Sequence, residues 1–169
     1  MTNIYEQTNK FGNGQINLDL VNKIKRKISN LEDSPNAKIV KAIDSIDGVL
    51  KSKCIGNSNA KIDFYAEKTG ILVIVGTNDI IYKRLLSAYH HYKMGKINSI
   101  IIICDSYHEA WWKENENKEI KKRGHGNRAH SQNVSAILSS INDWYDMDSH
   151  ILIFERKISR IRHEEYLMN

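Results

Sequence analysis

Proline occurs once in this chain, at Pro35, and cysteine twice, at Cys54 and Cys104. The two cysteines are far apart and form no Cys-x-x-Cys pair, which points to a reducing, cytoplasmic setting. The opening Met1–Gln7 has neither a basic n-region nor an apolar h-region, so secretion is not expected. No apolar run approaches the roughly 18 residues needed to cross a bilayer, and no membrane partner is expected either. Also missing are a Gly-rich phosphate loop, a Ser-His-Asp set, a His-Glu-x-x-His motif and zinc-finger spacing. No internal repeat is present.

What the chain does have is enough apolar material for one core: 169 residues, 41% of them hydrophobic, suit one domain better than two. Lys and Arg number 25 against 20 Asp and Glu, a net charge of +5 that favours an anionic partner such as nucleic acid. Residues 1–14 are polar and end in Gly12-Asn13-Gly14, the composition of a mobile N-terminal arm. Residues 15–169 are then the single domain.

Leu18, Leu20, Val21, Ile24, Ile28 and Leu31 recur at three- and four-residue steps and predict an amphipathic helix with a cationic outer face of Lys23, Lys25, Arg26 and Lys27. Ser34-Pro35 has the chemistry of a second helix start. Ile39, Val40, Ile43, Ile46, Val49 and Leu50 continue that helix as far as the loop Gly56–Asn59.

Two strands are expected next, Ala60–Ala66 and Gly70–Gly76, joined by a turn over Glu67–Gly70. The first carries an acid, Asp63, and the second carries none. Ile80–Met94 predicts a helix stopped by Gly95, and the aliphatic run Ile97–Cys104 predicts a strand buried on both faces in the middle of a sheet. A charged segment, Lys113–His130, precedes a helix marked by Val134, Ile137, Leu138 and Ile141. Ile151–Phe154 is a last strand, and the tail Glu155–Asn169 is basic at its start.

This order, together with Lys61-Ile-Asp-Phe-Tyr65, Asn78-Asp79, the helix beginning Tyr82-Lys-Arg-Leu-Leu and Met94-Gly-Lys-Ile-Asn-Ser-Ile-Ile-Ile-Ile-Cys104, resembles the PD-(D/E)XK nucleases. Within them it is most similar to the BglII-like and BamHI-like type II restriction endonucleases. The resemblance runs from about Ile39 to Phe154, with Gly126–Asn133 similar to a loop ahead of the final helix and strand. It implies an α/β fold, a central mixed sheet of about four to six strands flanked by helices. It also implies duplex DNA as partner, a homodimer, and, for an active enzyme, Mg²⁺ and cleavage of a palindrome.

In that chemistry, carboxylates on adjacent strands hold divalent cations that activate water and stabilise charge on phosphate. Asp63 matches the first metal ligand. The two positions that should follow on the next strand fall on Val73 and Val75, or on Ile74 and Gly76, none of which can coordinate a cation. Glu67, Asp79 and Asp105 are the acids that could substitute, Glu67 and Asp79 each roughly 10 Å away along an extended chain. Lys121, Lys122, Arg123, Asn127, Arg128, Gln132 and Asn133 have the side chains for phosphate contact and base reading. Adjacent His90 and His91 point about 100° apart on a helix and do not chelate together. Trp111 and Trp112 suit a core or an interface.

Three functions therefore follow. The first is a DNA-binding protein of this superfamily with cleavage lost or impaired, needing no cofactor. The second is a non-catalytic subunit that contacts a nuclease or regulatory protein. The third is a rewired Mg²⁺-dependent endonuclease.

Overall fold

The computed structural model describes residues 5–11, 15–29, 31, 36–51, 61–74, 78–105, 136–137 and 149–156. Helix α1, Leu18–Ile28, starts at Asn17, whose side-chain oxygen accepts the backbone N–H groups of Asp19 and Leu20 and so satisfies two donors the helix itself leaves open. Leu20, Val21, Ile24 and Ile28 form its buried stripe. Lys25, Arg26 and Lys27 fall in its last turn, where cations offset the negative end of the helix dipole.

Helix α2, Asn36–Asp44, is shorter than the apolar periodicity suggests. Ile46 and Val49 are buried although the chain there has left the helix, turning through Gly48 at φ 81°. A tight turn packs residues three apart on the same core, which imitates helical spacing. Leu50, expected in the helix, instead begins the two-residue strand β2, Leu50–Lys51, and is 58% exposed. Ser34 and Pro35 lie outside the described residues.

Strands β3, Phe64–Ala66, and β4, Thr69–Ile74, form an antiparallel hairpin. Its turn is the two-residue Glu67-Lys68, with Glu67 at φ 52°, a left-handed conformation that short hairpin loops require. Helix α3, Asn78–Lys93, ends on Gly95 at φ 66°. Gly95 N–H donates to the Tyr92 carbonyl at 2.8 Å and Lys96 N–H to the His91 carbonyl at 3.0 Å, the paired closure of a Schellman cap. The Lys68 ammonium donates to the Gly95 carbonyl at 2.7 Å, tying the hairpin turn to that cap.

Strand β5, Ser99–Asp105, runs parallel to β4 and to β6, Ser149–Arg156. The stretch read as an N-terminal arm contains strand β1, Tyr5–Phe11, paired antiparallel with β6 from Tyr5 opposite Glu155 to Phe11 opposite Ser149. The sheet is thus mixed and six-stranded, in the order β1-β6-β5-β4-β3-β2.

Alternation along the central strands divides the core. Phe64, Ile71, Val73, Ile101, Ile103, Leu152 and Phe154 pack with the inner faces of α1 and α2. Leu72, Ile74, Ile100, Ile102, Cys104, Ile151 and Ile153 pack with Ile81, Leu85 and Ala88 of α3. Burial of β4 and β5 on both faces favours apolar side chains from Ile71 to Ile74 and from Ile100 to Cys104, which is why both read as apolar runs. Of the expected helix around Ile137, residues 136 and 137 are described as helical, and Ile137 packs on the α3 face.

Candidate active site at the β3–β4 junction

Asp63 lies at a bend one residue before β3 rather than inside the strand. Its side chain is 16% exposed, and both carboxylate oxygens are engaged. Oδ2 accepts the backbone N–H of Val73 at 2.8 Å. The β3–β4 ladder pairs Phe64 with Ile71 as its last rung, so the carboxylate continues the pairing where the β3 backbone has bent away. Oδ1 meets the Arg84 guanidinium at 2.6 Å, with the arginine side chain 31% exposed. Arg84 sits among Ile81, Leu85 and Ala88 on the inward stripe of α3, at the i, i+3, i+4, i+7 spacing of a helix face.

The neighbours on β4 differ from both pairs that sequence spacing suggests. Carrying the Phe64–Ile71 register back one residue sets Asp63 opposite Leu72. Leu72 and Ile74 pack on the α3 face together with Ile62, whereas Val73 packs on the other. The turn is two residues long, not four, which moves the residue opposite Asp63 from Ile74 to Leu72 on the same face. The outcome for chemistry is unchanged, because Leu72 and Ile74 are fully buried aliphatics.

The alternative acids belong to three separate elements, the β3–β4 turn, α3 and β5. Glu67 lines a cleft of about 230 Å³ on the α1 side with Asn17, Asp19, Lys23, Asp47 and Gly48, and its Oε2 accepts from the Asn17 amide at 3.4 Å. Asp79 belongs to the first turn of α3, beyond the end of β4. The backbone of Asp105 is paired with Arg156 and lies three residues along β5 from Ile102, the residue in register with Leu72, about 10 Å by strand rise. Among the described residues, no group of three or more His, Cys, Asp or Glu is placed to hold a metal ion. His91 is buried and His90 exposed, as their angular separation on α3 requires.

The chain is similar in structure to the restriction endonuclease BglII, in a crystal structure complexed with a DNA 16-mer. The match has a TM-score of 0.66 at 11% sequence identity and covers 91% of this chain and 76% of that one. The fold is restriction-endonuclease-like. No protein-family model and no curated protein sequence matches the chain. What it has in common with BglII is therefore the fold of this α/β scaffold, whose mixed sheet carries helices on both faces. Among the described residues, no helix is long and apolar enough to cross a membrane.

A divalent cation in this fold would need several oxygen ligands close to one another. Among the described residues, the junction supplies one carboxylate, already held by a guanidinium and a backbone N–H, beside two buried aliphatics. These residues do not fit such an ion. Sequence reasoning did not single out Arg84, although a cation inside an otherwise apolar helical stripe was its visible signal. Lys121, Lys122, Arg123, Asn127, Arg128, Gln132 and Asn133 lie outside the described residues, as do Trp111 and Trp112.

Proposed function

We propose that this chain is a DNA-binding protein on the restriction-endonuclease scaffold in which the cleavage reaction has been lost. The observation that carries this reading is the state of Asp63. The carboxylate that the resemblance assigns to a metal is consumed by Arg84 and the Val73 N–H, and the β4 residues sharing its face are Leu72 and Ile74. Support for DNA as partner comes from the BglII complex, the net charge of +5, and the cations and amides of the segment from Lys121 to Asn133. Such a protein works in the cytoplasm and needs no Mg²⁺.

The test combines retardation and nicking of duplex DNA over a salt series, with Mg²⁺ or Mn²⁺ present. Retardation that weakens steeply as salt rises, with no nicking, is the expected result. No retardation at low salt would remove the DNA reading, and nicking that disappears in Asp63→Ala would restore the enzyme reading.

A second reading, contact with another protein subunit, draws on the outer side of α3. Tyr82, Leu86 and Met94 are 53%, 44% and 49% exposed and, with exposed His90, follow one another at four-residue steps. Such a row suits a homodimer or a nuclease or regulatory partner. Size-exclusion chromatography of the chain with and without DNA separates the two readings, since a subunit contact forms without DNA.

A further inference from the structure

We propose that Arg84 is a tethered counter-cation for Asp63: its guanidinium stands where a divalent ion would have to approach, and it closes the carboxylate to metals. This deepens the lost-cleavage reading and rests on it for the site's ancestry, while the claim about Arg84 concerns cation binding alone.

Three observations converge. The 2.6 Å contact places positive charge directly on Oδ1, and Oδ2 is occupied by a β4 backbone N–H, so an incoming ion would have to displace one of them. Displacing the N–H opens the end of the hairpin, and displacing Arg84 leaves a cation beside the incoming cation. Among the described residues, the neighbours Ile62, Leu72 and Ile74 are fully buried hydrocarbon, which offers no ligand and raises the cost of an unpaired charge. Arg84 also comes from α3, so the pair joins the hairpin to the helix that packs across it. Asp63 thereby serves as an anchor between a strand and a helix.

The experiment uses Mn²⁺ as a paramagnetic probe of the full chain in ¹H–¹⁵N spectra, read at the amides of Phe64 and Val73. In the wild type, Mn²⁺ at about 1 mM, the weak end of protein oxygen sites, leaves these two amides no broader than surface amides. Arg84→Lys keeps the cation and behaves alike. Arg84→Gln broadens them selectively at a Mn²⁺ concentration that leaves the wild type unbroadened, because removing the adjacent positive charge favours a cation at the carboxylate. Asp63→Asn/Arg84→Gln loses the effect again.

Selective broadening in the wild type that vanishes in Asp63→Asn would overturn the proposal, as would an Arg84→Gln response equal to that of the wild type. Should Arg84→Gln not fold, the wild type against Asp63→Asn decides: identical spectra with Mn²⁺ support the proposal, and a difference at these amides refutes it. DNA retardation is scored on the same wild-type preparation. A chain that binds no DNA yet excludes Mn²⁺ removes the functional reading and leaves the role of Arg84 standing.

Discussion

On the face of the sheet covered by α1 and α2, the central strands present Phe64, Ile71, Val73, Ile101, Ile103, Leu152 and Phe154 to the apolar stripes of two helices. The polar side chains that alternation assigns to that face, Thr69 and Ser99, share a hydroxyl hydrogen bond at 2.7 Å. On the opposite face, α3 brings Arg84 into its inward stripe to meet Asp63, and buries His91 and Ser87 as well. The same strands thus support one face held by hydrocarbon and another carrying a charge pair. Charge in a fold interior costs desolvation that hydrocarbon does not, so the two faces are held by different means. The face carrying the charge pair is also where the resemblance assigns the metal.

The contrast predicts unequal responses to truncation. Phe64 is 1% exposed and central to the hydrocarbon face, so Phe64→Ala is expected to cost about 3–5 kcal/mol, read as a lower urea midpoint at unchanged slope. A cost below about 1 kcal/mol would mean that α1 and α2 contribute little to this face.

On the α3 face the expected penalty is smaller and has a different signature. Removing one partner of a fully buried pair typically costs 3–5 kcal/mol, but Arg84 is 31% exposed and water screens the remainder. Arg84→Met should therefore cost about 1–2 kcal/mol, most of it the charge left alone on Asp63. In Asp63→Asn/Arg84→Met the cost should fall short of the sum of the single variants, by a coupling of roughly 1 kcal/mol in a double-mutant cycle. Strict additivity would show that the contact holds nothing together.

How much of this contrast was legible in the sequence differs from piece to piece. β5 and β4 announce themselves because strands buried on both faces are apolar over consecutive positions, Ile100–Cys104 and Ile71–Ile74. α1 does so because its stripe repeats at helical spacing. Strand β1 left no such signal: Tyr5–Phe11 is largely polar, and its partner β6 lies at the other end of the chain, so the pairing is entirely non-local. The neighbours of Asp63 on β4 were obscured for a narrower reason. Sequence spacing suits a turn over Glu67–Gly70, whereas Thr69 and Gly70 already belong to β4, which shifts the residue opposite Asp63 by two positions along the same face. Arg84 interrupts the apolar stripe of Ile81, Leu85 and Ala88, and with the acid ahead of β3 it is the sequence's signal for the pair.

A second ion pair of nearly the same length tests whether distance or burial decides such energies. Lys23 meets Asp19 at 2.7 Å on α1, but the two side chains are 41% and 65% exposed. The hydrogen bond and the negative charge of Asp19 hold the Lys23 ammonium above its usual 10.5. A group whose pKa is raised by folding adds stability that is complete below the unfolded value and disappears as pH climbs through the folded one. The melting temperatures of the wild type and Lys23→Met should therefore differ by a small constant amount from pH 7 to 9, shrink with added salt, and converge only above pH 10.5. Because both groups face water, this offset should be the smallest of the three effects and well below that of Arg84→Met. Equal penalties would make contact length the governing variable and deprive the α3 face of its special standing. A clear excess for Arg84 assigns the difference to the low-dielectric surroundings of Asp63, the same surroundings that disfavour an added ion there.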